Sequence, residues 1–189
     1  MHDKPYKLQP GGPGYELPWG CTPVVPYLKS LTPSGTLEDA WRAVARHEQT
    51  LLVELLGYLR SKSEGGVRIV GDEREGETRV PTVSFVVGGE RPIRSKDVVA
   101  VFDRKPNVSV AHHLAKIRDD ADLNLQCALE TDVLYQVGIR YGHFYAYTLV
   151  DTLEPKLDVA DGVVRISLVH YNTVEEVKRI IGILEEVLA

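Results

Sequence analysis

Cysteine and basic charge are scarce in this sequence, and a long apolar run is missing altogether. The only cysteines are Cys21 and Cys127, in a chain of 189 residues. They lie far apart and no motif pairs them, which argues against a disulfide scaffold and for a reducing compartment. The expected location is the cytoplasm. Lysine and arginine total 22 against 27 acidic residues, a net charge of −5. No basic run offsets that balance, which argues against a nucleic-acid partner. No apolar stretch is long enough to span a bilayer, and the N-terminus has no signal-peptide core. What is present is ordinary for a soluble globular protein: 43% hydrophobic and 26% charged residues, enough chain for one domain or one and a half.

The most organised stretch is 163–188. Val164, Ile166 and Leu168 alternate as one face of a strand, and Arg165 and Ser167 occupy the other. An arginine inside so apolar a strand needs an anionic partner or access to water. Thr173 and Glu176 have the spacing of a capping box. Val174, Val177, Ile180, Ile181, Leu184 and Leu188 then form a helical apolar stripe. From these residues alone, Arg165 reads as a strand residue in a surface ion pair.

The run Arg165-Ile-Ser-Leu-Val-His-Tyr171-Asn172-Thr173, followed by Glu175-Glu176 and an apolar helix, resembles the C-terminal signature of the class V aminotransferases. That family includes the cysteine desulfurases and uses pyridoxal phosphate. The resemblance implies that Arg165 holds the α-carboxylate of a small amino-acid-like substrate, a task suited to the two-pronged guanidinium fork. It also implies a homodimer.

Residues 1–35 are rich in proline and glycine, including Pro10-Gly11-Gly12-Pro13-Gly14-Tyr15-Glu16. The run lacks the lysine and spacing of a nucleotide phosphate loop, and by pattern it is an irregular surface loop. It resembles the family segment that follows the cofactor lysine, where a loop reaches the partner subunit's cofactor phosphate. Gly11, Gly12 and Tyr15 are the cofactor-side residues that this implies. Gly12 stands where a hydroxyl residue is common in the family, so only a backbone N–H is offered there.

A long helix is predicted from Thr36 to Ser61, capped by Thr36 with Asp39 three residues on. Its apolar face is Leu37, Ala40, Trp41, Val44, Leu51, Leu52, Leu55, Leu56 and Leu59. His47-Glu48 begins like a zinc-protease motif, but Leu51 replaces the second histidine and no metal is expected. Strands are predicted over 67–71 and 80–87, and a helix capped by Ser95 to about Arg104. The expected fold is α/β: a small mixed or antiparallel sheet with helices packed on one face, the small domain of a fold type I pyridoxal-phosphate transferase. Residues 36–189 would form it, and 1–35 would belong to the end of the large domain.

The stretch Gly138-Ile-Arg140-Tyr141-Gly142-His143-Phe144-Tyr145 carries a second resemblance, to the family's Arg-x-Gly-His segment. It implies that Arg140 and His143 line the substrate site. Tyr145 stands where desulfurases carry the catalytic cysteine, and a phenol cannot replace a thiolate as sulfur acceptor. On pattern alone the segment is an aromatic core strand built from Tyr141, Phe144, Tyr145 and Tyr147.

Residues 108–136 form an atypical insertion with three open readings. His112-His113 with Asp119, Asp120 and Asp122 is either a metal cluster or a charged surface excursion. In the third reading the segment is a retained intron, since Val108-Ser109 and Gln136 can be encoded by splice-donor and splice-acceptor sequences. Lys4 and Lys7 do not sit in the motif of the cofactor lysine, so the chain is expected to contribute to such an enzyme and to be inactive alone. The alternative is a non-catalytic truncated domain or interaction module on the same scaffold.

Overall fold

A computed structural model describes residues 12, 14–76, 79–104 and 138–189. The chain divides into two compact units, Met1–His47 and Glu48–Ala189.

In the first unit, α1 (Glu16–Gly20) and α2 (Val24–Ser30) replace the extended loop expected there. Pro18 and Pro26 fall in the first turns of these helices, where a missing N–H costs nothing because those donors have no intrahelical partner. Neither helix buries a residue, and Tyr15, Leu17, Trp19 and Tyr27 are exposed. Helix α3 (Leu37–Ser61) starts in this unit. Thr36 caps it as expected, its Oγ1 accepting from Asp39 N at 3.2 Å. Trp41, expected on the apolar face, is exposed.

The second unit is built on a four-stranded sheet in the order β1-β2-β4-β3, every pair antiparallel. The strands are β1 (Val67–Val70), β2 (Thr82–Val87), β3 (Arg140–Gly142) and β4 (Val163–Ser167). One face carries Val67, Ile69, Val83, Phe85, Val87, Val164 and Ile166, all in a single buried core. Leu51, Leu52, Leu55, Leu56 and Leu59 of α3 fill that core from one side. Each leucine, fully removed from water, contributes about 1.5–3 kcal/mol. Helix α4 (Ser95–Asp103) adds Val98, Val99 and Phe102, and α6 (Val174–Val187) adds Val177, Ile180, Ile183 and Leu184. A short α5 (Tyr147–Asp151) lies between β3 and β4 in sequence.

Two caps differ in kind. Thr173 caps α6 through the expected capping box. Ser95 does not cap α4: it is the helix's first residue and is buried, and Arg94 occupies the cap position without a side-chain bond. The carboxylate of Asp161 caps α4 instead, accepting from Ser95 N at 2.7 Å and Lys96 N at 3.1 Å. A carboxylate suits the positive end of a helix. It also ties α4 to the residues just before β4.

The segment between β1 and β2 is pinned to α3. Gln49 Nε2 donates to the carbonyls of Gly76 at 2.8 Å and Arg79 at 3.2 Å, and its Oε1 accepts from Gly76 N at 3.0 Å. Arg60 bonds Glu75 nearby and holds its carboxyl below the usual carboxylate range. Gln49→Ala leaves three backbone groups without this partner and is expected to cost about 1–3 kcal/mol. Urea unfolding of both proteins checks it; an unchanged midpoint would mean that water replaces the amide fully.

Among the described residues, no helix is long and apolar enough to cross a membrane, and no group of metal-ligating side chains is found. Residues 108–136 and Gly11 lie outside the described residues.

Candidate functional site

The second face of the sheet carries Arg68, Ser84, Arg140 and Arg165 beside the buried Val86 and Val163, and register determines which residues meet on it. Arg165 of β4 lies opposite Ser84 of β2 on one side and Arg140 of β3 on the other. Directly opposed residues of an antiparallel pair share a face, with Cβ atoms about 4.5–5.5 Å apart. Two positive charges placed this way repel each other. Arg68 of β1, two residues from Val70 and hence on the same face as Val70's partner Ser84, adds a third cation. The chain is acidic overall, yet among the described residues these three arginines have no carboxylate partner.

Each arginine has a distinct surrounding. Arg140 is exposed, and its Nη1 donates to the carbonyl of its neighbour Ile139 at 2.9 Å. Arg68 Nη1 donates to the Glu154 carbonyl at 2.6 Å, while its Nη2 is buried without a hydrogen-bond partner. The half-buried Arg165 has a buried Nε without a partner. Its Cζ lies 3.9 Å from the centroid of the Phe144 ring, a cation–π stack. A buried donor left unpaired costs roughly 1–3 kcal/mol, more when charged. The surface ion pair that residue pattern suggested for Arg165 is not formed among the described residues.

The chain leaving β3 builds the rest of the site. The expected aromatic strand over 138–147 is confined to Arg140–Gly142. His143 to Ala146 form a tight turn, closed by Ala146 N donating to the His143 carbonyl at 2.8 Å. Its central residues Phe144 and Tyr145 have φ of +48° and +63°. Positive φ at both centres is the pattern of a type I′ turn, which favours Asn-Gly. Bulky residues there cost roughly 1–2 kcal/mol each. That local strain explains why the sequence read as a strand: nothing in Phe-Tyr signals such a turn. Tyr145 is fully exposed, and Tyr141 and Tyr147 are exposed as well, so these rings are not the core of a strand. His143 Nδ1 is buried without a hydrogen-bond partner, and its ring meets Tyr147 edge-on at 5.8 Å.

Tyr145→Gly removes the Cβ from a left-handed position and takes away no buried surface. It is expected to stabilise the fold by about 1 kcal/mol, read as a higher urea midpoint. A lower midpoint would show that the exposed phenol makes contacts that support the fold.

Two close approaches hold the site's frame. A Cβ on Gly162 (φ +64°) would lie 2.2 Å from the Gly142 carbonyl carbon, so β3 and β4 meet there backbone to backbone. Downstream of β4, the Tyr171-Asn172-Thr173 run is chiefly a turn device. Asn172 Oδ1 accepts from Val169 N at 2.8 Å, and the Glu176 carboxylate accepts from Thr173 N at 2.8 Å and Asn172 Nδ2 at 3.2 Å. These bonds fix the exit from the strand that carries Arg165.

Of the six site residues expected from sequence, the structure brings Arg165 and Arg140 into direct opposition, and His143 follows β3 immediately. Gly12 and Tyr15 belong to the first unit, are exposed, and Gly12 has open space where a Cβ would stand. Gly11 is not among the described residues. Sequence reasoning missed Ser84 and Arg68. The polar positions Thr82 and Ser84, alternating with Val83, Phe85 and Val87, were the available signal for the first.

The chain aligns over 183 residues with the aminotransferase-like protein FGM3 of Gibberella zeae, at 37% identity over 96% of this chain and 35% of that protein. Over 183 residues it is 29% identical to the cysteine desulfurase-like protein ustD of Aspergillus flavus, covering 96% of this chain and 32% of that one. No protein-family model matches. The chain spans about a third of the length of the curated relatives it matches. Along nearly its whole length, therefore, the chain resembles part of an aminotransferase-like or cysteine desulfurase-like protein, the resemblance that its motifs carry.

Proposed function

We propose that the arginine-bearing face of the sheet is the carboxylate-binding part of a pyridoxal-phosphate enzyme of the class V aminotransferase, desulfurase-like type, with the second unit as its C-terminal small domain. The observation that carries the reading is the opposed pair Arg165 and Arg140, without an internal carboxylate among the described residues. A small amino-acid-like substrate supplies the missing anion. Its carboxylate accepts from Arg165, which fixes both position and orientation. Arg140 adds charge beside it, so binding relieves the repulsion between the two guanidinium groups. His143, one residue past β3, places its imidazole at the edge of the site, where it meets Tyr147 edge-on.

Pyridoxal phosphate, when bound, supplies the electron sink for chemistry at the substrate's α-carbon. The residues that fit the reading lie on the substrate side, where nitrogen atoms of Arg165 and His143 are buried and unpaired. Gly12 and Tyr15 are proposed for the phosphate side together with Gly11, across a homodimer. The described residues of the first unit form no close cradle around Gly12, so phosphate contacts there need additional groups. The lysine that carries the cofactor is expected from outside this chain's motifs.

The reading is tested by what the chain binds. Acetate and L-alanine both carry the carboxylate, and ethylamine does not. In a nuclear magnetic resonance titration of the full chain, acetate and L-alanine are expected to shift the Arg165 and Arg140 side-chain signals and ethylamine to leave them in place. Equal shifts with ethylamine, or none with the carboxylates, would remove the carboxylate role.

A further inference from the structure

We propose that Phe144 is a positioning residue for Arg165, its ring fixing the plane of the guanidinium before the anion arrives. The inference rests on the reading of Arg165 as the carboxylate-binding group.

Arg165 Cζ lies over the Phe144 ring, 3.9 Å from its centroid, close enough for the two flat groups to stack. The five N–H donors of a guanidinium point outward in its own plane. A ring on the face therefore competes with none of them and leaves the fork open to a carboxylate. An arginine side chain held in one orientation loses less conformational freedom when it binds.

The backbone shows what it takes to place the ring there. Phe144 and Tyr145 both adopt positive φ in a turn that ordinarily uses asparagine and glycine. Tyr145 is fully exposed and returns nothing through burial. The stack of Phe144 on Arg165 is the contact that offsets the strained turn. Strain of this kind clusters where geometry serves a site.

The test compares acetate binding to the full chain as wild type, Phe144→Leu, Phe144→Tyr, Phe144→Gly and Arg165→Gln, followed by the Arg165 Nε–H resonance. Phe144→Leu is expected to weaken acetate binding about two- to thirtyfold and to abolish the ring-current displacement of that resonance. Phe144→Tyr keeps the aromatic face and is expected to restore both. Phe144→Gly relaxes the turn but also removes the ring that offsets its strain, so its affinity is expected to fall while its unfolding midpoint changes little. A merely structural residue would lose affinity and stability together. Wild-type affinity in Phe144→Leu and Phe144→Gly, with binding lost in Arg165→Gln, would overturn the role of Phe144 and leave that of Arg165 intact. Undiminished acetate binding in Arg165→Gln would overturn the reading of Arg165 itself.

Discussion

Replacing Arg165 by alanine is expected to abolish measurable carboxylate binding while leaving the fold in place. Truncating one side of a desolvated, hydrogen-bonded charge pair typically costs about 2–5 kcal/mol, which is tens- to thousands-fold in affinity. The fold should tolerate the change because the guanidinium makes no ion pair among the described residues and its Nε is an unpaired burden. Removing it also ends the repulsion with Arg140. Arg165→Lys is the sharper variant. It preserves the charge but not the two-donor fork, and an ammonium is a compact point charge that cannot lie flat on Phe144 in the same way. Calorimetric titration with L-alanine is expected to give no recovery of affinity in Arg165→Lys. Near-wild-type binding in the lysine variant would reduce the site to a general positive field.

Gly162→Ala is expected to be among the most damaging single methyl additions to the chain. The new Cβ would stand 2.2 Å from the Gly142 carbonyl carbon and 2.3 Å from its oxygen, at a residue whose φ is +64°. Both contacts are backbone, so no side chain can rotate away. Overpacking of this kind costs about 1–3 kcal/mol, and the left-handed conformation adds about 1–2 kcal/mol. The relief available is a shift of β3 away from β4, which would separate Arg140 from Arg165. Stability and carboxylate affinity are therefore expected to fall together, with a larger loss of stability than in Arg165→Ala. Gly57→Ala provides the internal control: Gly57 lies exposed within α3 with open space at its Cβ, and the change is expected to stabilise by about 1 kcal/mol. Urea unfolding of the three proteins distinguishes the cases. An unchanged midpoint in Gly162→Ala would mean that the two strands are not held in close contact there.

Much of the second unit was legible because its signals are local. The alternation in β2 and β4, the leucine stripe of α3 from Leu51 to Leu59, and the Thr173–Glu176 capping box each follow from side-chain spacing within a few residues. Arg165 stood out in the sequence too, since a charge in an apolar strand demands an explanation. What remained hidden depends on residues distant in sequence. The insertion of β4 between β2 and β3, which sets Arg140 against Arg165, is a pairing choice that strand patterns do not encode. The cap on α4 comes from Asp161, 66 residues beyond Ser95, so a serine near the helix start misled. The turn at Phe144-Tyr145 contradicts the preferences of its own residues. Local preference was overridden there, in a turn whose Phe144 ring lies against Arg165. In the first unit the proline-rich composition read as an irregular loop. Prolines within a helix's first turn permit short helices just as well.

The most direct measurement is a crystal structure of the full chain grown with L-alanine. The expected result is a carboxylate on the arginine-bearing face of the sheet, about 2.7–2.9 Å from guanidinium nitrogens of Arg165, with Arg140 beside it and Phe144 still stacked. The contradictory result is an Arg165 closed by an acidic side chain of its own chain, with L-alanine absent from that face.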